Sequence, residues 1–157
     1  MDEISIREEI LRAASVQGVA LEELQEPNAE DVRERLLQRF GKDLRYELNC
    51  NNLADYVAVQ HPDSWIWVEE YLSTEPVLFF YDDERERSVF RFRSGQDLVR
   101  VIKECYGFVY YVTNETLDYV VCHNDHDYIL GAGKAKAWVE SLMPRHEEWV
   151  RSLKTNK

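Results

Sequence analysis

The residue pattern predicts an α+β fold: an antiparallel sheet of four to six strands with helices packed on one face. Two observations carry this. First, two stretches read as hairpins. Val77-Leu78-Phe79-Phe80-Tyr81 is apolar on both faces, a charged turn follows at 82–87, and the return run 88–93 alternates Phe90 and Phe92 with Arg91 and Arg93. The second hairpin covers 108–123 and turns at Asn114-Glu115. Short turns between apolar runs join antiparallel partners. Second, helical spacing appears before, between and after them, so the order is helices, hairpin, helix, hairpin, helices.

From the N-terminus, Ile6, Ile10, Leu11 and Ala14 fall at helical spacing, and Gly18 interrupts. Pro27 closes the next segment. Asn28 is a good N-cap with Asp31 three residues on, and Val32, Leu36, Leu37 and Phe40 form one apolar stripe ending at Gly41. Residues 1–41 are therefore read as a helical N-terminal region, and 42–157 as the sheet-and-helix core, of a single domain spanning 1–157. Leu44, Tyr46 and Leu48 alternate with polar residues, which predicts a strand; 49–52 reads as a loop and 56–59 as another short strand. His61-Pro62-Asp63-Ser64 signals a helix start, with Trp65, Val68 and Leu72 on one face and Trp67 and Tyr71 on the next. Ser94 caps a helix with Asp97 three residues on, Leu98, Ile102 and Cys105 lining its face and Gly107 ending it. Tyr128-Ile129-Leu130 is a third short apolar run, after which Gly131-Ala132-Gly133 is expected to open a helix carrying Ala135, Trp138, Val139 and Leu142. Pro144 breaks the chain before a last amphipathic helix with Trp149, Val150 and Leu153.

Composition narrows the function classes. Thirty acidic against 19 basic residues give a net charge of −11, which repels phosphate backbones and anionic lipids. Neither nucleic acid nor membrane is expected as a partner; the acidic balance favours a basic protein partner, or simply solubility. No apolar run approaches the ~20 residues that span a bilayer. The acidic start Met1-Asp2-Glu3 lacks a signal pattern, so a cytoplasmic location is expected. Cys50, Cys105 and Cys122 lie far apart with no CxxC pair, which argues against a disulfide framework or a zinc ribbon and favours buried free thiols.

Reactive side chains concentrate in His123-Asn124-Asp125-His126-Asp127. Imidazole and carboxylate are the usual ligands of zinc and related ions, but a complete site needs three or four of them and only His61 and His146 remain elsewhere. Asn and Asp are also ordinary turn residues, because they tolerate left-handed backbone and bond to it. Turn chemistry is the first reading, an interaction loop the second, a metal or catalytic site the third. His123 and His126 are not expected to share a metal, and no cofactor is expected. Gly131-Ala132-Gly133-Lys134 resembles a phosphate loop, yet the first glycine of GxxxxGK[ST] would fall at Tyr128 and the hydroxyl residue at Ala135. Carboxylate pairs such as Asp82-Asp83, Glu69-Glu70 and Glu147-Glu148 show no facing geometry, and nothing marks a nucleophile. No catalytic residue is assigned.

Sixteen of the 19 aromatics lie between residues 65 and 149, more than one sheet with helices needs as filler. Trp67, Tyr71, Tyr111 and Tyr128 are expected at a surface. Six consecutive charged residues at 82–87 must project into water. The candidate partner-binding residues are therefore Asp82, Asp83, Glu84 and Tyr128.

The run Val89-Phe90-Arg91-Phe92 into Ser94, then Tyr110-Tyr111-Val112-Thr113-Asn114, residues 118–127 and Gly131-Ala132-Gly133, resembles small bacterial proteins of the toxin-immunity type, including the SUKH class. The resemblance covers roughly residues 60 to 142 and rests on strand and turn chemistry; the N-terminal helices fall outside it. It implies a protein-binding module that neutralises a basic toxin. It transfers no functional residue, because such proteins meet their toxins through different surfaces. Two alternatives stand beside it: a hydrolase or metal-dependent enzyme using the 123–127 cluster, and a structural or regulatory interaction domain.

Overall fold

The computed structural model describes residues 4–83 and 85–155. Its elements in chain order are α1 (Ile6–Gln17), β1 (Leu21–Glu23), α2 (Asn28–Phe40), β2 (Tyr56–Gln60), a 3-10 turn (Ser64–Ile66), α3 (Val68–Tyr71), β3 (Val77–Tyr81), β4 (Val89–Phe92), α4 (Gly95–Glu104), β5 (Tyr110–Asn114), β6 (Tyr119–His123), β7 (Tyr128–Gly133), α5 (Lys136–Glu140) and α6 (Met143–Thr155). The fold is α+β, and all strand pairs in its single sheet are antiparallel. Seven strands, one above the expected range, stand in the order β1-β4-β3-β5-β6-β7-β2. Both predicted hairpins form, with Phe79 opposite Phe90 and Tyr111 opposite Cys122.

Helices cover both faces of the sheet, where one was expected. The reason lies in β3, all five of whose residues are buried. Val77, Phe79 and Tyr81 enter a layer shared with α1, α3, α4 and α5; Leu78 and Phe80 enter a second layer with Leu36, Leu37 and Phe40 of α2 and with Leu48, Cys50 and Leu53. A strand apolar on both sides needs two covers. Tyr111, Val120, Cys122 and Leu130 extend the second layer across the central strands. The N-terminal helices thus sit on opposite faces of the sheet, Ile10, Ala13 and Ala14 of α1 in one layer and the α2 stripe in the other.

Several local expectations change. The helix α2 starts at Asn28 itself, with Pro27 at the cap position and no side-chain cap bond. The alternating stretch 44–48 is not a strand. Asn52 winds it into a loop: its Oδ1 accepts from the Asp43 amide at 2.8 Å, and its Nδ2 donates to the Asp43 and Glu47 carbonyls at 3.0 and 2.9 Å. A buried amide that satisfies three backbone groups outcompetes a ladder that has no neighbouring strand. β1 went unforeseen because three residues, two of them glutamates, carry no alternation; charge on a short edge is how sheets avoid further pairing. Glu23 is held there by a bidentate Arg7 and by the Ser88 hydroxyl, which keep its carboxyl below the usual range.

Gly131-Ala132-Gly133 does not open a helix. It is the second half of β7, paired with β2 on one side and β6 on the other. The phosphate-loop likeness therefore has no structural counterpart. Pro144 stands in the first turn of α6, where its missing amide costs nothing. The helix predicted after Asp63 is shorter than expected, a 3-10 turn followed by one α turn.

Candidate functional site

The register aligns Tyr81, Tyr110 and His123 across one end of β3, β5 and β6. The connections at this end, residues 82–83 with 85–88, 105–109 and 124–127, converge with the 42–55 loop around two cavities. The first, about 420 Å3, is lined by aromatic and apolar side chains: Trp65, Ile102, Cys105, Tyr106, Phe108 and Tyr110, with His123, Asn124, Asp125 and Asp127. The second, about 530 Å3, is polar, with Glu47, Asp82, Asp83 and Asp125 set against Arg33 and Arg87. Asn124 and Asp125 line both, so the turn after β6 is the wall between them.

That turn is built by its own side chains, as first read. Asn124 Oδ1 accepts from the amides of His126 and Tyr128 at 3.0 and 3.1 Å, and Asp127 takes a left-handed φ of 62°. The Asp127 carbonyl accepts from the His61 amide at 3.0 Å and the Ser64 hydroxyl at 2.8 Å. Since Ser64 spends its one proton there, its oxygen must accept from His123 Nε2, 3.1 Å away. His123 is therefore the neutral Nε2–H tautomer. It is buried and stacks on Tyr110; burial pushes its pKa down to about 4.

The 123–127 cluster is thus divided. His123 lines the aromatic cavity, while His126 lines the polar one, is largely exposed and stands 3.6 Å from Asp125. Among the described residues, no three His, Cys, Asp or Glu side chains are placed to hold a metal. Elemental analysis of protein purified without chelator should find no stoichiometric transition metal. A bound metal that His126→Ala loses would overturn this.

The acidic turn also differs from a freely solvated loop. Asp82 is open to solvent on one side, yet its Oδ2 accepts from Tyr111 Oη at 2.9 Å, and the same oxygen of Tyr111 accepts from the Cys50 amide at 3.0 Å. Crowding by neighbouring atoms raises the Asp82 pKa, with the Tyr111 bond opposing it. Asp82 therefore ties the turn to the 42–55 loop through Tyr111, besides carrying charge into the polar cavity. Asp83 caps its own turn through the Arg85 amide at 2.8 Å. Glu84 lies outside the described residues. Tyr128 is half-buried against the α2-side layer and lines neither cavity. Arg87 is engaged by Glu30 and Glu47, and Arg33 lies over the Phe80 ring.

No family model, curated protein or solved structure matches the chain.

Of the aromatics expected at a surface, Tyr111 is fully buried, Trp67 nearly so, and Tyr71 and Tyr128 half-buried. Tyr111 is core because the second face of the sheet is covered too, whereas Trp67 packs into the first layer, beside His61 and under Arg145. The exposed aromatics are instead Tyr46, Tyr56, Trp65 and Tyr106. Trp65 and Tyr106 border the first cavity. Trp65 could have been suspected from the short helix start after His61-Pro62, but Tyr106, at a helix end, carried no such signal. Burial pushes the Cys105 thiol up to about 12, which keeps it protonated at neutral pH. Cys50 and Cys122 lie thiol to thiol in the α2-side layer, and Cys122 is held protonated by that contact and by burial.

Proposed function

We propose that the protein is a binding module for a basic protein partner, used as an immunity protein that neutralises a toxin. One observation carries the reading. Two acidic turns far apart in sequence, 82–83 and 125–127, meet at one end of the sheet, beside Glu47 of the 42–55 loop. The polar cavity there holds four carboxylates against two guanidiniums, and Arg87 is already paired. The chain's net charge of −11 adds a long-range field of the same sign. Such a surface steers a basic partner during encounter and contributes less once the complex has formed.

The test removes charge while keeping the bonds that build the turns. Asp82 is left intact because Tyr111 depends on it; Asp83→Asn, whose amide oxygen can still accept from the Arg85 amide, is combined with Asp125→Lys. The partner is first isolated on immobilised protein and must itself be basic. Stopped-flow association should then slow about ten-fold at low salt. The difference should shrink as the Debye length falls toward ~3 Å at high salt, and dissociation should change little. An acidic partner, or an on-rate that the double variant leaves unchanged, overturns the reading.

A further inference from the structure

We propose that the aromatic cavity beside the 124–127 turn is a receptor for one arginine side chain, whose guanidinium lies among Trp65, Tyr106, Phe108 and Tyr110 under the carboxylates of Asp125 and Asp127. Naming a protein as the source of that arginine rests on the reading above; the chemistry of the slot does not.

Each part of the lining selects a different property of the ligand. The aromatic walls and Ile102 accept flat, weakly hydrated or apolar matter. They do not distinguish a neutral group from a charged one. The carboxylates do. Asp125 and Asp127 stand at the edge of a largely apolar hollow, and neither lysine nor arginine is among the residues that line it. The one basic group present, His123, stays neutral above about pH 4 and donates its proton to Ser64. An anion would meet two like charges with no compensation. A neutral ligand would gain nothing from the two carboxylates, which stand exposed to water at the rim. A cation satisfies both, and aromatic faces attract it further.

Among cations, a guanidinium fits better than an ammonium. It is planar, stacks on aromatic rings and gives up its hydration more readily. The volume, about 420 Å3, lies in the lower part of the range of ligand cavities and holds a guanidinium with its stem and some water. Trp65 and Tyr106 are 41% and 48% exposed at its mouth, which places tryptophan and tyrosine where binding hot spots concentrate.

The probe is N-acetyl-arginine methylamide, titrated into the 15N-labelled protein and followed by NMR, with N-acetyl-citrulline methylamide as the uncharged isostere. The indole signal of Trp65 is assigned from the Trp65→Phe spectrum. The arginine probe should shift that signal and the amides of Gly107, Phe108 and Asn124 saturably. Citrulline should bind at least ten-fold more weakly. The double variant Asp125→Asn with Asp127→Asn should lose most of the arginine shift while keeping a folded spectrum, since asparagine tolerates the left-handed backbone at 127. Equal shifts from both probes, no shift at the cavity, or full binding by the double variant would each overturn the slot. Asp83 lies outside this cavity, so the single variant Asp83→Asn, measured beside the double one, tests partner association separately: a failed titration overturns the slot and leaves that effect to stand or fall by itself.

Discussion

Gly133→Ala should lower the unfolding free energy by about 3 kcal/mol. Gly133 ends β7 with a φ of 64°, which an L side chain adopts at a cost of about 1–2 kcal/mol. Space is short as well: a Cβ there would stand 2.4 Å from the Asp118 carbonyl oxygen and 2.8 Å from the Phe40 ring. The backbone cannot move aside cheaply. Gly133 pairs with Tyr119 across the ladder, and the Asp118 carbonyl accepts from the Lys134 amide at 3.0 Å. The ring belongs to the last residue of α2, so the clash also reaches the helix that covers the second face. Urea denaturation measures the loss. Gly107→Ala, with nothing within 4 Å of the new carbon, is the control and should be nearly neutral. A loss below about 1 kcal/mol at Gly133 would show that neither the left-handed backbone nor the close approach matters there.

The second large effect is a pH dependence. His123 titrates near 4 in the folded chain because burial disfavours the imidazolium, and near 6.5 when unfolded. Between those values the unfolded state binds the proton and the native state does not, so stability rises with pH through this window. His123 is 8% exposed, so solvent screening removes little of the effect. A shift of this size corresponds to about 3 kcal/mol lost as pH falls from 7 to 4. In His123→Gln the amide can still donate to Ser64 but does not titrate. Its stability at pH 7 will be lower, yet its decline between pH 6.5 and 4 should be shallower than the native decline by that amount. Depressed carboxylates such as Glu9 and Glu23 contribute to both proteins alike, toward the acid end. Parallel pH curves for the two proteins would refute the assignment.

The two hairpins were legible because their signals are strong and local: β-branched and aromatic runs on either side of a turn. Ser94 was legible as a cap for the same reason, and its hydroxyl accepts from the Asp97 amide as expected. The failures share a physical cause. Leu44, Tyr46 and Leu48 alternate like a strand, but a strand needs a partner, and the loop's bonds converge on Asn52 instead. Gly131-Ala132-Gly133 reads as a helix opening because glycine is rare in strands. It belongs to one here because α5 crosses so close that a Cβ at Gly131 would meet Val139 at 2.6 Å. The second apolar layer could have been inferred from Val77-Leu78-Phe79-Phe80-Tyr81, whose two-sided hydrophobicity demands it. The candidate site was half legible. Its acidic turns stood out as charge, but their meeting depends on the order of β3, β5 and β6, and the aromatic cavity between them on which tyrosines the core leaves over.

The strand order has a consequence for how the chain is made. Its middle, β3 to β7, is assembled largely from neighbours in sequence, whereas both outermost strands, β1 and β2, come from the first 60 residues. β1 waits for β4, and β2 waits for β7, which leaves the ribosome long after it. Val57 and Val59 therefore have no ladder partner until β7 has been made, and closing the sheet requires long-range pairings that are slow to form. In a vectorially emerging polypeptide, the earliest β segments are the last to be satisfied, and this is where a nascent-chain chaperone would find bare strand to hold.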